Sequence, residues 1–190
     1  MIFGFVSEKI LQIIGIKIIL KMKIEDINDM SSDLFINNFK NIFEKTTFIA
    51  IMLEKIRPFA DKKHIIESFM NEFDNLNLDK KKDIIKNHPD LGNKFKVNNL
   101  LTEMSKTEQK NAGLDNCNDE EYLLFSKMNQ EFKSKFKIPF IYAVKGSNKS
   151  LIMNEFKKRL KKNNIKYQLD ESIKQVKKIA FFRLEEIINE

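Results

Sequence analysis

The 190-residue length fits one domain with room for a substantial core, and 42% hydrophobic with 32% charged residues is the balance of a folded, water-soluble chain, which excludes disorder. The net charge of +7 invites nucleic acid, but of the 34 basic residues only Arg57, Arg159 and Arg183 are arginine, the side chain that grips phosphate and base edges bidentately, so no nucleic-acid partner is expected. One cysteine, Cys117, cannot form an internal disulfide, and with two histidines it offers too few soft ligands for an ordinary zinc site.

Residues 1–21, MIFGFVSEKILQIIGIKIILK, are the most apolar stretch. Glu8, Lys9 and Lys17 interrupt it, and no small-residue cleavage site follows it, so neither stable membrane insertion nor secretion is expected. A dispensable extension ahead of a domain at 22–190 is favoured over a packed amphipathic helix or a membrane-surface anchor. The single cysteine and the C-terminal Ile188-Asn189-Glu190, which is no peroxisomal address, point to the cytoplasm.

From there the periodicity is helical nearly throughout, with five glycines and three prolines leaving no Gly-rich phosphate loop. Ser31-Ser32 precedes a stripe of Leu34, Phe35, Phe39, Ile42 and Phe43. Thr47 to Ile56 reads as a second helix stopped by Arg57-Pro58, and Ile65, Ile66, Phe69, Met70 and Phe73 stripe a third. Lys80 to Asn87 forms a short fourth, which His88-Pro89 should end because the residue before proline avoids helical geometry. A segment at 105–112 closes on Gly113. Tyr122, Phe125, Met128 and Phe132 mark a long helix ending near Lys135. Residues 138–144, IPFIYAV, form a continuous apolar run after that helix, expected to be extended and buried. Helices near 150–162 and 170–188 follow. The prediction is a single compact all-α domain with one buried extended segment.

Three features could carry chemistry, each with a bland alternative. His88 sits at a helix end before a rigid turn, where a surface histidine could simply cap the helix. Ser105, Glu108 and Gln109 share one helix face, but Ser-x-x-Glu is also the capping-box pattern. Arg183 lies among Ile179, Ala180, Phe181, Phe182 and Leu184, where it either snorkels to water or meets an anion in a pocket. Asp33, Asp90, Glu103 and His64 read as solvated groups or local caps.

Taken in order, FEKTTFIAIMLEKIRPFA at 43–60, HPDLGNK at 88–94, LTEMSKTEQKNAGL at 101–114, FSKMNQEFKSKFKIPFIYAVKG at 125–146 and VKKIAFFRLEEII at 176–188 form a specific set. This set, covering roughly residues 27–188, resembles the OHCU decarboxylases, which act on 2-oxo-4-hydroxy-4-carboxy-5-ureidoimidazoline after urate oxidation and hydroxyisourate hydrolysis.

The resemblance implies an all-α domain, usually a homodimer, that converts this small ureide acid to (S)-allantoin with no cofactor and no metal. It implies His88 as the catalytic proton donor, with Glu108 orienting the imidazole. Substrate contacts are implied at Pro89, Ser105, Lys106, Thr107, Glu108, Gln109, Phe140, Ile141, Tyr142, Ala143, Val144 and Arg183, the last pairing with the anionic substrate. The chain departs from the common pattern at Thr46-Thr47-Phe48, at Gly92 where alanine is frequent, at Lys145 and at Phe181-Phe182. These departures bear on substrate affinity and anion contacts. The competing reading, a non-catalytic helical binding module, predicts that His88, Glu108 and Arg183 scatter over the surface.

Overall fold

The computed structural model describes residues 21–92 and 101–189. The expectations for residues 1–20, and for Asn93 and Lys94 of the histidine–proline turn, lie outside the described residues.

The described residues form helices α1 (Ile24–Asp29), α2 (Ser32–Phe39), α3 (Thr47–Glu54), α4 (Lys62–Asn75), α5 (Leu78–Asn87), α6 (Glu103–Asn111), α7 (Asp119–Phe136), α8 (Lys149–Lys161) and α9 (Ile165–Ile187), with a 3-10 turn at Leu114–Asn116. No strand is present among them. The periodicity placed eight of these helices, and α1, too short to show a stripe, went unread. Helix α9 begins five residues earlier than the apolar stripe suggested, because Asn164 caps it by accepting from Tyr167 N at 2.8 Å.

Most helix starts have a short polar cap of this kind. Ser31, Asp61, Asn77, Asn118 and Asn148 each accept a first-turn amide, and Asn118 with Glu121 completes a reciprocal capping box. Helix α6 starts at Glu103, not at Ser105, because Thr102 is its cap, accepting from Ser105 N at 3.3 Å. Ser105 is thereby freed from capping and faces inward.

Phenylalanine fills the core in two groups. Phe35, Phe39, Phe59 and Phe69 stack between α2, α3 and α4, with Phe43 on Phe73 nearby at 4.8 Å. Phe132, Phe136, Phe140 and Phe156 join α7, α8 and the extended segment, Phe140 lying flat on Phe156 at 3.8 Å. Each buried ring contributes about 1.5–3 kcal/mol by leaving water. Helix α9 packs along α4 and α5, so its last turns pass the C-terminal end of α5, where His88 sits. A short clasp closes the two ends of the described domain: Met22 N donates to Ile187 O and Asn189 N to Met22 O, both at 2.8 Å.

The segment at 138–144 is non-helical, and all of it but the half-buried Tyr142 is buried. Its polar backbone is satisfied from outside: Ala143 N donates to Gln175 Oε1 at 2.9 Å, and Ile141 O accepts from Arg159 Nη1 at 2.7 Å. Arg159 is itself buried, braced by Gln168 and Ser172 and lying over the Phe132 and Phe140 rings. Burial pushes its guanidinium down to about 10, still charged at neutral pH. Arg57 plays a comparable part, donating to the Ile27 and Asn28 carbonyls at the end of α1.

Candidate active site

Helix α5 runs into Pro89 and stops, leaving His88 as its C-terminal cap with extended backbone. The side chain turns back along the helix, and its Nδ1 lies 2.9 Å from the Ile84 carbonyl. A carbonyl can only accept, so Nδ1 carries the proton and Nε2 keeps its lone pair. His88 is only 8% exposed, so it is not a surface cap. Burial, then the Arg183 charge, pushes its imidazole down to about 4, against the raising effects of Ile84 O and Glu44. At neutral pH His88 is uncharged.

Arg183 does not snorkel. It is 2% exposed, and each guanidinium nitrogen is engaged. Nε donates to Glu108 Oε1 at 2.6 Å and Nη1 to Asn41 O at 2.7 Å; Nη2 meets Glu108 Oε2, Ser105 Oγ and Glu44 Oε2 at 2.9, 3.0 and 2.9 Å. Its proton affinity rises despite burial, because two carboxylates face it. The protein's own groups take these donors: Glu108, Glu44, Ser105 and the Asn41 carbonyl.

Glu108 and Gln109 also make bonds within the protein. Both Glu108 oxygens bind Arg183, and the hydrogen bond that fixes the imidazole comes from Ile84 instead. Gln109 holds the turn after His88, accepting from Gly92 N at 3.1 Å. That turn needs glycine: Gly92 has φ +68°, and a Cβ there would stand 2.6 Å from Phe125 Cγ. Asn129 supports the same turn by donating to Leu91 O at 2.9 Å.

His88, Ser105, Glu108, Gln109 and Arg183 line one pocket together with Pro89, Leu91, Phe140, Ile141, Tyr142, Val144 and Ile179. Of the residues put forward from sequence, Ala143 lines the adjoining hollow instead, beside Lys145 and Phe182. Lys106 pairs with Glu103 at 2.8 Å and Thr107 is exposed; neither side chain lines the pocket. His88, Glu108 and Arg183 gather as a catalytic site requires, and the scatter expected of a mere binding module is not found.

Sequence reasoning missed Glu44. It is wholly buried in the turn between α2 and α3, accepting from Ser105 Oγ at 2.7 Å as well as pairing with Arg183. Burial raises the proton affinity of its carboxyl, but Arg183 and the Ser105 and Thr102 hydroxyls outweigh this and hold it below the ordinary carboxylate range. The one available signal was position: an acid in an otherwise apolar Ile42-Phe43 stripe, ahead of Thr46-Thr47.

A buried neutral imidazole beside a carboxylate–arginine cluster, in a small partly apolar pocket of an all-α domain, defines a protein for acid–base work on a small polar molecule. The chain belongs to the OHCU decarboxylase family, whose sequence profile matches residues 28–185. It is 32% identical over 169 residues to the uric acid degradation bifunctional protein of Bacillus sp. (strain TB-90), covering 89% of this chain but only 33% of that longer protein. It is 32% identical to the 2-oxo-4-hydroxy-4-carboxy-5-ureidoimidazoline decarboxylase of Xenopus laevis, covering 86% of this chain and 93% of that one. The fold matches a crystal structure of (S)-allantoin synthase, with a TM-score of 0.69 at 19% identity over 88% of this chain and 54% of that one. It also matches an OHCU decarboxylase crystallised in the presence of (S)-allantoin, with a TM-score of 0.63 at 18% identity over 77% of this chain and 94% of that one.

Among the described residues no cluster of three or more His, Cys, Asp or Glu could hold a metal, and no helix is long and apolar enough to cross a membrane.

Proposed function

We propose that this chain decarboxylates 2-oxo-4-hydroxy-4-carboxy-5-ureidoimidazoline to (S)-allantoin, with His88 as its acid–base group. The observation that carries this is the buried imidazole in the pocket wall, held neutral with a free Nε2.

Loss of CO₂ leaves an electron pair, and the adjacent unsaturated ring of the substrate can accept it. The protein then has to place the carboxylate, strip its water and move protons. As the bond to the carboxylate carbon breaks and its pair enters the ring, the hydroxyl on the same carbon gives its proton to His88 Nε2 and becomes a carbonyl. The imidazolium then protonates one face of the ring, which sets the product's handedness. One proton comes from solvent overall, because a carboxylate departs as neutral CO₂. His88 is thus an acceptor first and the expected donor second, and a positioned group of this kind contributes about 10²–10⁴-fold.

Substrate recognition rests on polarity that the protein has already fixed. Ser105 gives its hydroxyl proton to Glu44, so toward a ligand it can only accept, which suits a ureide N–H. Glu108 adds a second acceptor at the pocket wall, while Pro89, Phe140, Ile141, Tyr142 and Val144 supply shape.

The test is freshly generated substrate from a coupled urate-oxidation mixture, with and without purified protein and with no metal added. Faster formation of optically active allantoin is expected; rates equal to the spontaneous decay would refute the activity. His88→Asn should abolish the acceleration with helicity intact. The family likeness further supports a homodimer working without cofactor, the match at 28–185 supports residues 22–190 as the active unit, and the single cysteine fits a cytoplasmic setting. Light scattering and full activity after deletion of residues 1–21 are the checks.

A further inference from the structure

The turn between α2 and α3 is built to bury a charge. Lys45 adopts φ +50°, a left-handed conformation that a lysine rarely takes, and the Thr46 hydroxyl donates to Glu44 O at 2.9 Å. The outcome is that Glu44, 0% exposed, points its carboxylate between Ser105 and Arg183, one layer behind the pocket surface. Oε2 takes both bonds. The Thr102 hydroxyl lowers the proton affinity of the same carboxylate as well.

Arg183 already has Glu108 as a forked partner, so its charge is paired without a second acid. The reaction supplies a reason for it. When His88 takes a proton, a second cation appears beside Arg183, and that positive pair is unfavourable in a buried site. The groups acting on the imidazole are Arg183 from α9, Glu44 from the α2–α3 turn and the Ile84 carbonyl from its own helix, with Glu108 of α6 facing the same pocket. Of the two acids, Glu44 is the one fully removed from water, so its charge is screened least.

We infer that Glu44 is a positioning residue for the proposed decarboxylation: from behind the pocket wall it locks Ser105 and Arg183 and balances the imidazolium that forms on His88. This rests on the acid–base role proposed for His88, but it predicts an electrostatic coupling that is measurable without substrate.

Glu44→Gln keeps the shape and removes the charge. In that variant the His88 imidazole, followed by ¹⁵N resonance, should titrate about one pH unit lower than in the parent. With substrate, kcat should fall about 10- to 100-fold while KM changes far less, because the lost interaction is made to the charged intermediate. The acid limb of kcat/KM should move down with the imidazole, and Glu44→Asp should recover part of kcat. A His88 midpoint unchanged in folded Glu44→Gln overturns the inference, whatever happens to activity. Should that variant not fold, the unmodified protein still decides the matter: the Glu44 carboxyl ¹³C resonance must shift at the His88 midpoint, and a flat resonance there refutes the coupling. If the parent protein fails to accelerate the reaction while the two resonances move together, the substrate assignment falls and the pairing stands.

Discussion

Arg183 Nε and Nη2 meet Glu108 Oε1 and Oε2 at 2.6 and 2.9 Å, a forked pair that ties the closing helix to one 75 residues earlier in the chain. With Glu44 on the remaining side, one guanidinium organises three separate parts of the fold around His88. Removing it leaves a wholly buried carboxylate without its counter-charge. Arg183→Met should therefore lower unfolding stability by about 3–5 kcal/mol, read by urea denaturation. Adding Glu44→Gln should restore part of that loss; a strictly additive double variant would mean the two side chains do not depend on each other.

The pH dependence of His88 has a definite sign. Its folded imidazole is held down at about 4, below the ordinary 6.5. An unfolded chain protonates as pH falls through 6.5, while the folded chain resists until about 4. Stability is then complete above 6.5 and declines by up to about 3 kcal/mol across that window. Denaturation at successive pH values should show this slope between pH 5 and 6.5, and His88→Asn should flatten it. Because the reaction starts from neutral imidazole, the acid limb of kcat/KM should lie near pH 4 as well; a limb near 6.5 would show His88 to be ordinarily solvated.

Gly92→Ala is a test of the turn after His88. The new methyl meets the Phe125 ring at 2.6 Å, and φ +68° strains any residue with a Cβ. Loss of about 1–3 kcal/mol is expected, together with a several-fold fall in kcat as the turn carrying His88 shifts. Shortening the ring in Gly92→Ala/Phe125→Leu should relieve the contact but not the backbone strain, so recovery should be partial by thermal melting.

Gln175 is distant from the proposed chemistry yet accepts the Ala143 amide in the pocket's extended wall. Gln175→Met strands that buried N–H and should destabilise by about 1–3 kcal/mol. KM should rise as the wall loosens, while the His88 titration stays put. An altered titration would place Gln175 in the electrostatic network instead.

The helices were legible because Phe, Ile and Leu recur at threes and fours along each buried face, and the extended segment because its apolar run has no such period. His88-Pro89 announced a helix end through proline's sterics alone. The site was harder to read, since its contacts are long-range: Glu44 reaches Ser105 across 61 residues and Arg183 reaches Asn41 across 142. Local patterns even misdirected. Ser105-x-x-Glu108 looks like a cap, but Thr102 three residues earlier took that task and turned both side chains to the interior. The scarcity of arginine was the more useful clue, because Arg57, Arg159 and Arg183 each hold a buried junction. What no local pattern could show was that Arg183's donors would all be spent within the protein.

The clasp between Met22 and residues 187–189 has a dynamic consequence. Terminal helical turns ordinarily fray, and Arg183 lies one turn from the end of α9. Here Met22 holds that end from both sides, so backbone amides near Leu184 and Ile188 should exchange with deuterium only as slowly as the domain opens globally. The arginine that arranges the pocket then stays in place while ligands come and go.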